Sequence, residues 1–423
     1  MDNLINANVL SLSKNELLKR ASKYVFSNNI NMNDGAAHLA SKNTAYGLAK
    51  MHYAQASLGF ESNACFIATP DQTITRNEYR FQFGSSYGGK YVFGNNNSNI
   101  IFPDLKPNSC GILVGGMNEI PCEQDIIKNV SNLRMDESSL DNIAIKWDFE
   151  KSNHFIDVFK KKLIKPNANN SEYESQFQKA HSLIEDFDYF FMIHSSAPEY
   201  KKISPGMYID MSQELIDMCE KIETPFGIIN VLIDSNAKKY FEFCKKANDF
   251  SIKRRELAAK KIFNEFSVIN NNNHQGMLKG MNEIILGAQD TSNFNLMPIV
   301  LSADSVAYLA MGLPNHSNEQ IEELGWTKRA QNRGLLNVLE NTNLMPHGGG
   351  YHLINISSVH DSFEIGKKRY FSLSQKHSDA NITITNPDQL EFRYREKEVA
   401  HKTFDLGLAE NVAVLAPEFI IKF

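Results

Sequence analysis

The 423-residue sequence predicts an α/β chain of the α+β kind, an irregular fold with mixed β-sheets flanked by helices. Three observations predict it. Some stretches carry apolar residues at helical spacing, others are short apolar runs between polar turns, and the two kinds do not alternate as regular βα units. Residues 14–59 show the helical period, through Leu17, Leu18, Ala21 and Val25, then Ala45, Leu48, Ala49 and Tyr53. Residues 64–116 change to glycines, short apolar runs and turn residues, which suits strands and loops. NHFIDVF (153–159) and YFFMIH (189–194) have strand composition. Residues 238–268 read as one long amphipathic helix carrying Tyr240, Phe243, Ala247, Phe250, Leu257, Ile262 and Phe266. Residues 297–311 are strand-like and then apolar, and NVAVLAPEFIIKF reads as packed structure to its last residue. The clusters Asn95–Asn97 and Asn270–Asn273 read as loops. There is no repeat, and neither asparagine cluster amounts to a linker; the length alone suggests two or three domains, or a single elaborate α/β domain.

A hydrophobic content of 42% supplies a core. The net charge of −5 excludes a globally basic nucleic-acid binder, leaving only local patches. Lys160–Lys162, Lys201–Lys202, Lys253–Arg255 and Lys367–Arg369 are such runs, and each reads as a solvated face. There is no apolar run long enough to span a membrane, and MDNLINANVLSLSKNELL lacks the features of a secretion leader. Cys65, Cys110, Cys122, Cys219 and Cys244 are odd in number and widely spaced, which fits a reducing cytoplasm better than a disulfide framework.

Two glycine-rich stretches invite chemistry. GSSYGGKY (84–91) matches G-x-S-x-G around Ser86 and also G-x-x-x-x-G-K. The first lacks an oxyanion loop upstream, and the second has Tyr91 where a magnesium-binding hydroxyl belongs, so a glycine-rich turn is expected. MPHGGGYH (345–352) admits an oxyanion loop, a histidine approaching a phosphate, or a tight turn.

A dispersed metal set is the stronger signal. Cys110 lies in NSCGI, His154 at the mouth of a strand, His194 at the end of an apolar run and His274 after the long helix. One thiolate with three imidazoles suits zinc, cobalt, manganese or iron, and donor type alone does not choose.

The order of these segments resembles the RtcB family of RNA ligases. The stretches IIFPDLKPNSCG (100–111), SNHFIDV (152–158), FMIHSSA (191–197), NNNHQGM (271–277), MPIVLSADSVAYLAMG (297–312), PHGGGY (346–351) and IIKF (420–423) follow one another as that family's motifs do. ATPDQT (68–73) resembles the family's M-P-D-V-H, and the tail resembles its closing segment. The resemblance implies that residues 1–423 form a single RtcB-like catalytic domain, and an enzyme that joins an RNA 3′-phosphate or 2′,3′-cyclic phosphate end to a 5′-hydroxyl end. GTP and one or two Mn²⁺ ions would be its cofactors. It implies that Cys110, His154, His194 and His274 hold metal and that His347 is the nucleophile that takes GMP. Asn153, Asp157, Ser302, His347 and Lys422 would form the nucleotide site. A monomer, an RNA substrate, roles in RNA repair and tRNA splicing, a cytoplasmic location and no membrane partner are further expectations.

The sequence departs from the family at definite points. Pro107 stands where the family has a metal-binding Asp, with Asp104 the nearest substitute. Tyr351 stands where it has Arg, SSAPEYK (195–201) replaces a Gly/Arg-rich segment, and the spacer 313–346 is long. A non-catalytic relative that binds RNA or a partner, and an unrelated metallohydrolase, are the alternative readings.

Overall fold

The computed structural model describes residues 7–27, 34–94, 98–149, 154–162, 171–207, 211–366 and 368–421. The expected positions Asn153 and Lys422, and the cluster Asn95–Asn97, lie outside them. The fold is α+β and is organised by two sheets, whose strands we number in chain order. They are β1 (Val25–Phe26), β2 (Cys65–Ile74), β3 (Ser86–Val92), β4 (Gly111–Met117), β5 (Phe155–Lys161) and β6 (Tyr189–Ser195). The rest are β7 (Ser267–Asn273), β8 (Gln275–Gly276), β9 (Glu283–Leu286), β10 (Leu296–Val300), β11 (Ala307–Gly312) and β12 (Ala409–Ile421). The larger sheet runs β7-β4-β6-β5-β12-β11-β10, antiparallel throughout. The smaller runs β1-β2-β3-β9-β8, with β1 parallel to β2.

Burial on both faces explains why the central strands are continuously apolar rather than alternating. Ile112, Val114, Phe159, Phe190 and Met192 feed one core, while Leu113, Ile156, Val158, Phe191 and Ile193 feed the core on the opposite face. The period of two along each strand sends neighbours to opposite sides. Helix α1 (Lys14–Ala21) begins with a Ser13/Glu16 capping box, and α2 (Gly35–Ser57) is capped by Asp34 and runs through the core of the smaller sheet. The long α3 (Asp234–Ile262) packs Ala258, Ala259 and Ile262 onto the larger sheet. Three short helices, Asn318–Glu323, Thr327–Gln331 and Leu336–Glu340, occupy the long spacer.

Several expectations need correction. The long helix stops at Ile262, and Asn270–Asn273 is the end of strand β7 rather than a loop. These asparagines suit a strand because their side chains are used: Asn271 Oδ1 and Asn273 Oδ1 each accept from the buried Arg255 at 2.7 Å. GSSYGGKY is also mostly strand, following the left-handed Gly84 that ends the helix Glu78–Phe83. Among the described residues β3 is followed by the short strand Ile100–Ile101 and not by the α-helix a phosphate loop requires, and Ser86 Oγ is bound to Thr44 Oγ1 at 2.6 Å. Nor are the basic runs uniformly solvated, since Arg254, Arg255 and Arg369 are buried. Arg254 donates to Glu199 at 3.0 Å and to Asp148 at 2.8 Å, so its charge is neutralised internally. The five cysteines are free, and no helix among the described residues is long and apolar enough to cross a membrane.

Candidate functional site

Four strand ends bring the expected metal ligands together. In the larger sheet Ile112 and Phe155 both lie opposite His194, and Gly111 lies opposite Asn273. Cys110 immediately precedes β4, His154 precedes β5, and His274 follows β7, while His194 lies one residue from the end of β6. Because neighbouring strands are antiparallel, two starts and two finishes fall at the same edge of the sheet. Cys110, His194 and His274 are buried, and their donor atoms all lie within 4.8 Å of one another. His274 also donates its backbone N–H to Cys110 O at 2.8 Å, which fixes the two segments together.

The donor set fits a divalent transition ion. His194 Nε2 and His274 Nε2 are 3.2 Å apart. Metal–nitrogen bonds of about 2.0–2.1 Å place two bound nitrogens roughly 3.0–3.4 Å apart, so this spacing is that of one edge of a coordination shell. Burial holds the His274 imidazole well below its usual range, with His347, His194 and Arg255 adding to the effect, so the ring is neutral, as a ligand must be. His154 stands slightly apart. Its ring lies edge-on to His194 at 5.5 Å and hydrogen-bonds Cys110, while its Nδ1 faces Asp148 Oδ2 at 3.2 Å. Burial pulls the His154 imidazole down, but hydrogen bonds to Asp148 and Cys110 outweigh it and raise it to about 9. Asp148 in turn receives Arg254, which makes it the carboxylate that orients a histidine beside the ligands.

Asp104, the nearest substitute for the missing acidic ligand, is committed elsewhere. It accepts from Tyr79 Oη at 2.6 Å and from the Asn230 backbone and side chain at 2.8 Å each. Pro107 therefore has no carboxylate replacement at this position, and the described donors gather around one centre.

His347 adjoins this cluster from the loop that follows the short strand Leu344–Pro346. Its ring centroid is 4.6 Å from that of His274. The segment before it pairs with Ala288–Asp290, and the one after forms a parallel bridge from Gly348 to Val300 at the end of β10. His347 Nδ1 meets Asp71 Oδ2 at 2.9 Å. The same oxygen accepts the backbone N–H groups of His347 and Gly348 at 3.3 Å each, and Thr69 donates to Oδ1 at 2.5 Å. Surrounded by donors, the carboxylate accepts from Nδ1–H and leaves the lone pair on Nε2. The His347 side chain is 22% exposed while that of Asp71 is fully buried, so the ring alone reaches solvent.

The three glycines after His347 are required by packing. A Cβ on Gly348 would lie 2.5 Å from Val300 O, on Gly349 it would meet Arg395 O, and on Gly350 it would meet Asp71 O. Gly350 also has φ +65°, which disfavours any side chain. Arg395 clasps the loop from outside, donating to Gly349 O at 3.1 Å and Asp71 O at 3.3 Å, and pairs with Asp34. A cavity of about 630 Å³ opens beside this clasp, lined by Asp34, His352, Arg393, Tyr394, Arg395 and two glutamates.

The remaining expected nucleotide residues are placed as follows. Asp157 is buried in β5, and one carboxylate oxygen faces the Ile421 N–H at 3.4 Å. Ser302 is half-buried in the turn after β10, two residues beyond the strand end that holds Gly348. Tyr351, where Arg was expected, packs against Phe392 and Tyr394 at 4.7 and 5.1 Å. Asp71, Asp148 and Asp34 escaped the sequence reading of site residues. For Asp71 a signal existed, because ATPDQT was already aligned with a family motif.

No family model matches this chain, and no curated protein matches it either.

Proposed function

We propose that this chain is a divergent RtcB-like ligase that joins 3′-phosphate or 2′,3′-cyclic phosphate ends of RNA to 5′-hydroxyl ends, using GTP and a divalent metal. The observation that carries the reading is the meeting of His347, its Nδ1 held by Asp71, with the cluster of Cys110, His194 and His274. A nucleophile oriented by a carboxylate and set against metal donors is an arrangement suited to phosphoryl transfer. Cys110, His194 and His274 would hold the ion, with His154 beside them. When bound, an ion there supplies positive charge against the oxygens of a reacting phosphate. Manganese is the ion the family resemblance implies.

The chain's own residues support the sequence of steps. Nε2 of His347 attacks the α-phosphorus of GTP, an N–P bond forms, and the bond to pyrophosphate breaks. Asp71 stabilises the charge that develops on the imidazole as it attacks. The RNA 3′-phosphate then displaces His347 from the guanylate, and attack of the 5′-hydroxyl on the activated phosphate releases GMP. A 2′,3′-cyclic end must first be opened by water. Asp157 and Ser302, with Asn153 and Lys422, are the family-implied contacts for the nucleotide. The commitment of Asp104 to Tyr79 and Asn230 favours one ion over two.

The test is incubation of the protein with α-labelled GTP and Mn²⁺. The expected result is a covalent adduct, labile to acid and stable to base, that disappears in His347→Ala. Absence of an adduct with every divalent metal and nucleotide tried would overturn the ligase reading and leave a non-catalytic relative or a metallohydrolase.

A further inference from the structure

A second cavity, with arginines in its wall and no residue of the His347 site, lies between α1 and residues 332–334. It measures about 450 Å³, and Arg20, Tyr24, Ser62, Glu61 and Arg333 contribute to its wall. Arg20 and Arg333 both lie over the Tyr24 ring, at 4.8 and 5.5 Å from its centroid, and Arg329 lies over Phe26 at 4.4 Å. The three guanidiniums form no ion pair with any described carboxylate. Each also keeps a buried Nε–H that no described atom accepts.

Their other hydrogen bonds go to neutral groups. Arg20 reaches His52 Nδ1 at 2.6 Å and Ser62 O at 2.9 Å, and Arg333 reaches Arg329 O at 2.8 Å. Burial keeps His52 well below the usual imidazole range and raises the Tyr24 phenol, so neither brings charge to the cavity. Glu61 is the one carboxylate in the wall, and it is exposed and outnumbered.

Arg20 is buried, Arg329 and Arg333 are half-buried, and charge held in such places without a partner is costly. Elsewhere Arg254, Arg369 and Arg395 have internal carboxylates, and the buried Arg255, which has none, instead spends its donors on Asn271, Asn273, Ser251 and Ser195 O. We infer that the cavity between α1 and residues 332–334 binds a phosphate monoester through Arg20 and Arg333. A phosphate monoester brings close to two negative charges and several acceptor oxygens, which matches an unneutralised pair backed by a third guanidinium. A free nucleotide and a phosphorylated nucleic-acid end both present that group. The inference does not depend on the guanylate chemistry at His347, because the wall comes from α1 and from the spacer that the family resemblance leaves unexplained.

Binding of three probes measured by calorimetry distinguishes the sources: AMP, a short oligonucleotide with a terminal phosphate, and the same oligonucleotide without it. The expected result is that AMP binds and Arg333→Met weakens it at least tenfold, while His347→Ala leaves it unchanged. Glu61→Gln, a surface change that removes the opposing charge, should tighten binding severalfold, which guards against a folding artefact in Arg333→Met. Tighter binding of the phosphorylated oligonucleotide than of its dephosphorylated twin, lost in Arg333→Met, identifies a nucleic-acid end as a source. AMP binding alone identifies a small ligand. If AMP does not bind, or binds Arg333→Met as well as the unaltered protein, the inference is wrong.

Discussion

Asp71 Oδ2 lies 2.9 Å from His347 Nδ1 across 276 positions of sequence, and it also takes the two backbone N–H groups at the base of the glycine loop. One carboxylate thus sets both the tautomer of the ring and the position of the chain that carries it.

Asp71→Asn disturbs both jobs, because the same oxygen serves the ring and the loop. An amide that turns its oxygen there still accepts from both but without the negative charge, and one that turns its NH₂ there holds the ring in the opposite tautomer, with the hydrogen on Nε2. The fold should persist while labelled-GMP transfer falls about 10²–10⁴-fold, as removal of an orienting or proton-transfer partner does. Adduct formation at the unaltered rate would exclude Asp71 from orienting the nucleophile.

Metal analysis should find one tightly bound divalent ion per chain, lost from Cys110→Ser and His194→Ala. A bound ion at 100 times its Kd adds about 2.7 kcal/mol of stability. Chelation should therefore lower Tm in the unaltered protein and leave it unmoved in the two variants. Equal Tm with and without chelator would remove the metal from the site.

Gly350→Ala tests whether the glycines serve packing. The new Cβ meets Asp71 O and a left-handed backbone at once. Strain of this kind costs about 1–3 kcal/mol, and the collision adds to it. A fall in the urea midpoint of matching size is expected, and an unchanged midpoint would show that the loop yields.

Acid sensitivity should trace in part to His316, which is buried against Trp326 at 5.2 Å. Burial lowers its imidazole to about 4 from the usual 6.5. The unfolded chain thus binds the extra proton first as pH falls, so stability is full above about 6.5 and declines towards about 4, by up to about 3 kcal/mol. His316→Leu should flatten the pH dependence of the urea midpoint across that window. An identical slope in the variant would assign the loss to other groups.

The sequence disclosed what depends on local pattern. The strands β5, β6 and β12 were legible as apolar runs, and α3 as a helical period. Asn270–Asn273 was not, because those residues favour turns and are held in a strand by the buried Arg255, a contact made by the helix before them. Arg254 misled for the same reason: its carboxylates, Glu199 and Asp148, are far from it in sequence. Context and motif order single out Cys110, His154, His194, His274 and His347 as candidates, and the structure brings them to adjoining positions. Asp148 lies in no motif and meets His154 only in the fold, so geometry alone exposes it, whereas Asp71 sits in ATPDQT and only its pairing with His347 needed the structure.

The strand ends that gather Cys110, His194 and His274 would have a consequence for how the protein acquires the proposed ion. No two of these residues are close enough in sequence to chelate from a single loop, so the extended chain offers isolated donors of little affinity. The chelate exists only after the sheet has closed, and an ion that binds there binds the native state alone. With no competing affinity in the unfolded chain, the whole of its binding free energy is added to the stability of the fold. Cellular supply of that ion would then set the lifetime of the polypeptide as well as its chemistry, because depleted cells would hold a larger unfolded fraction for proteases to remove.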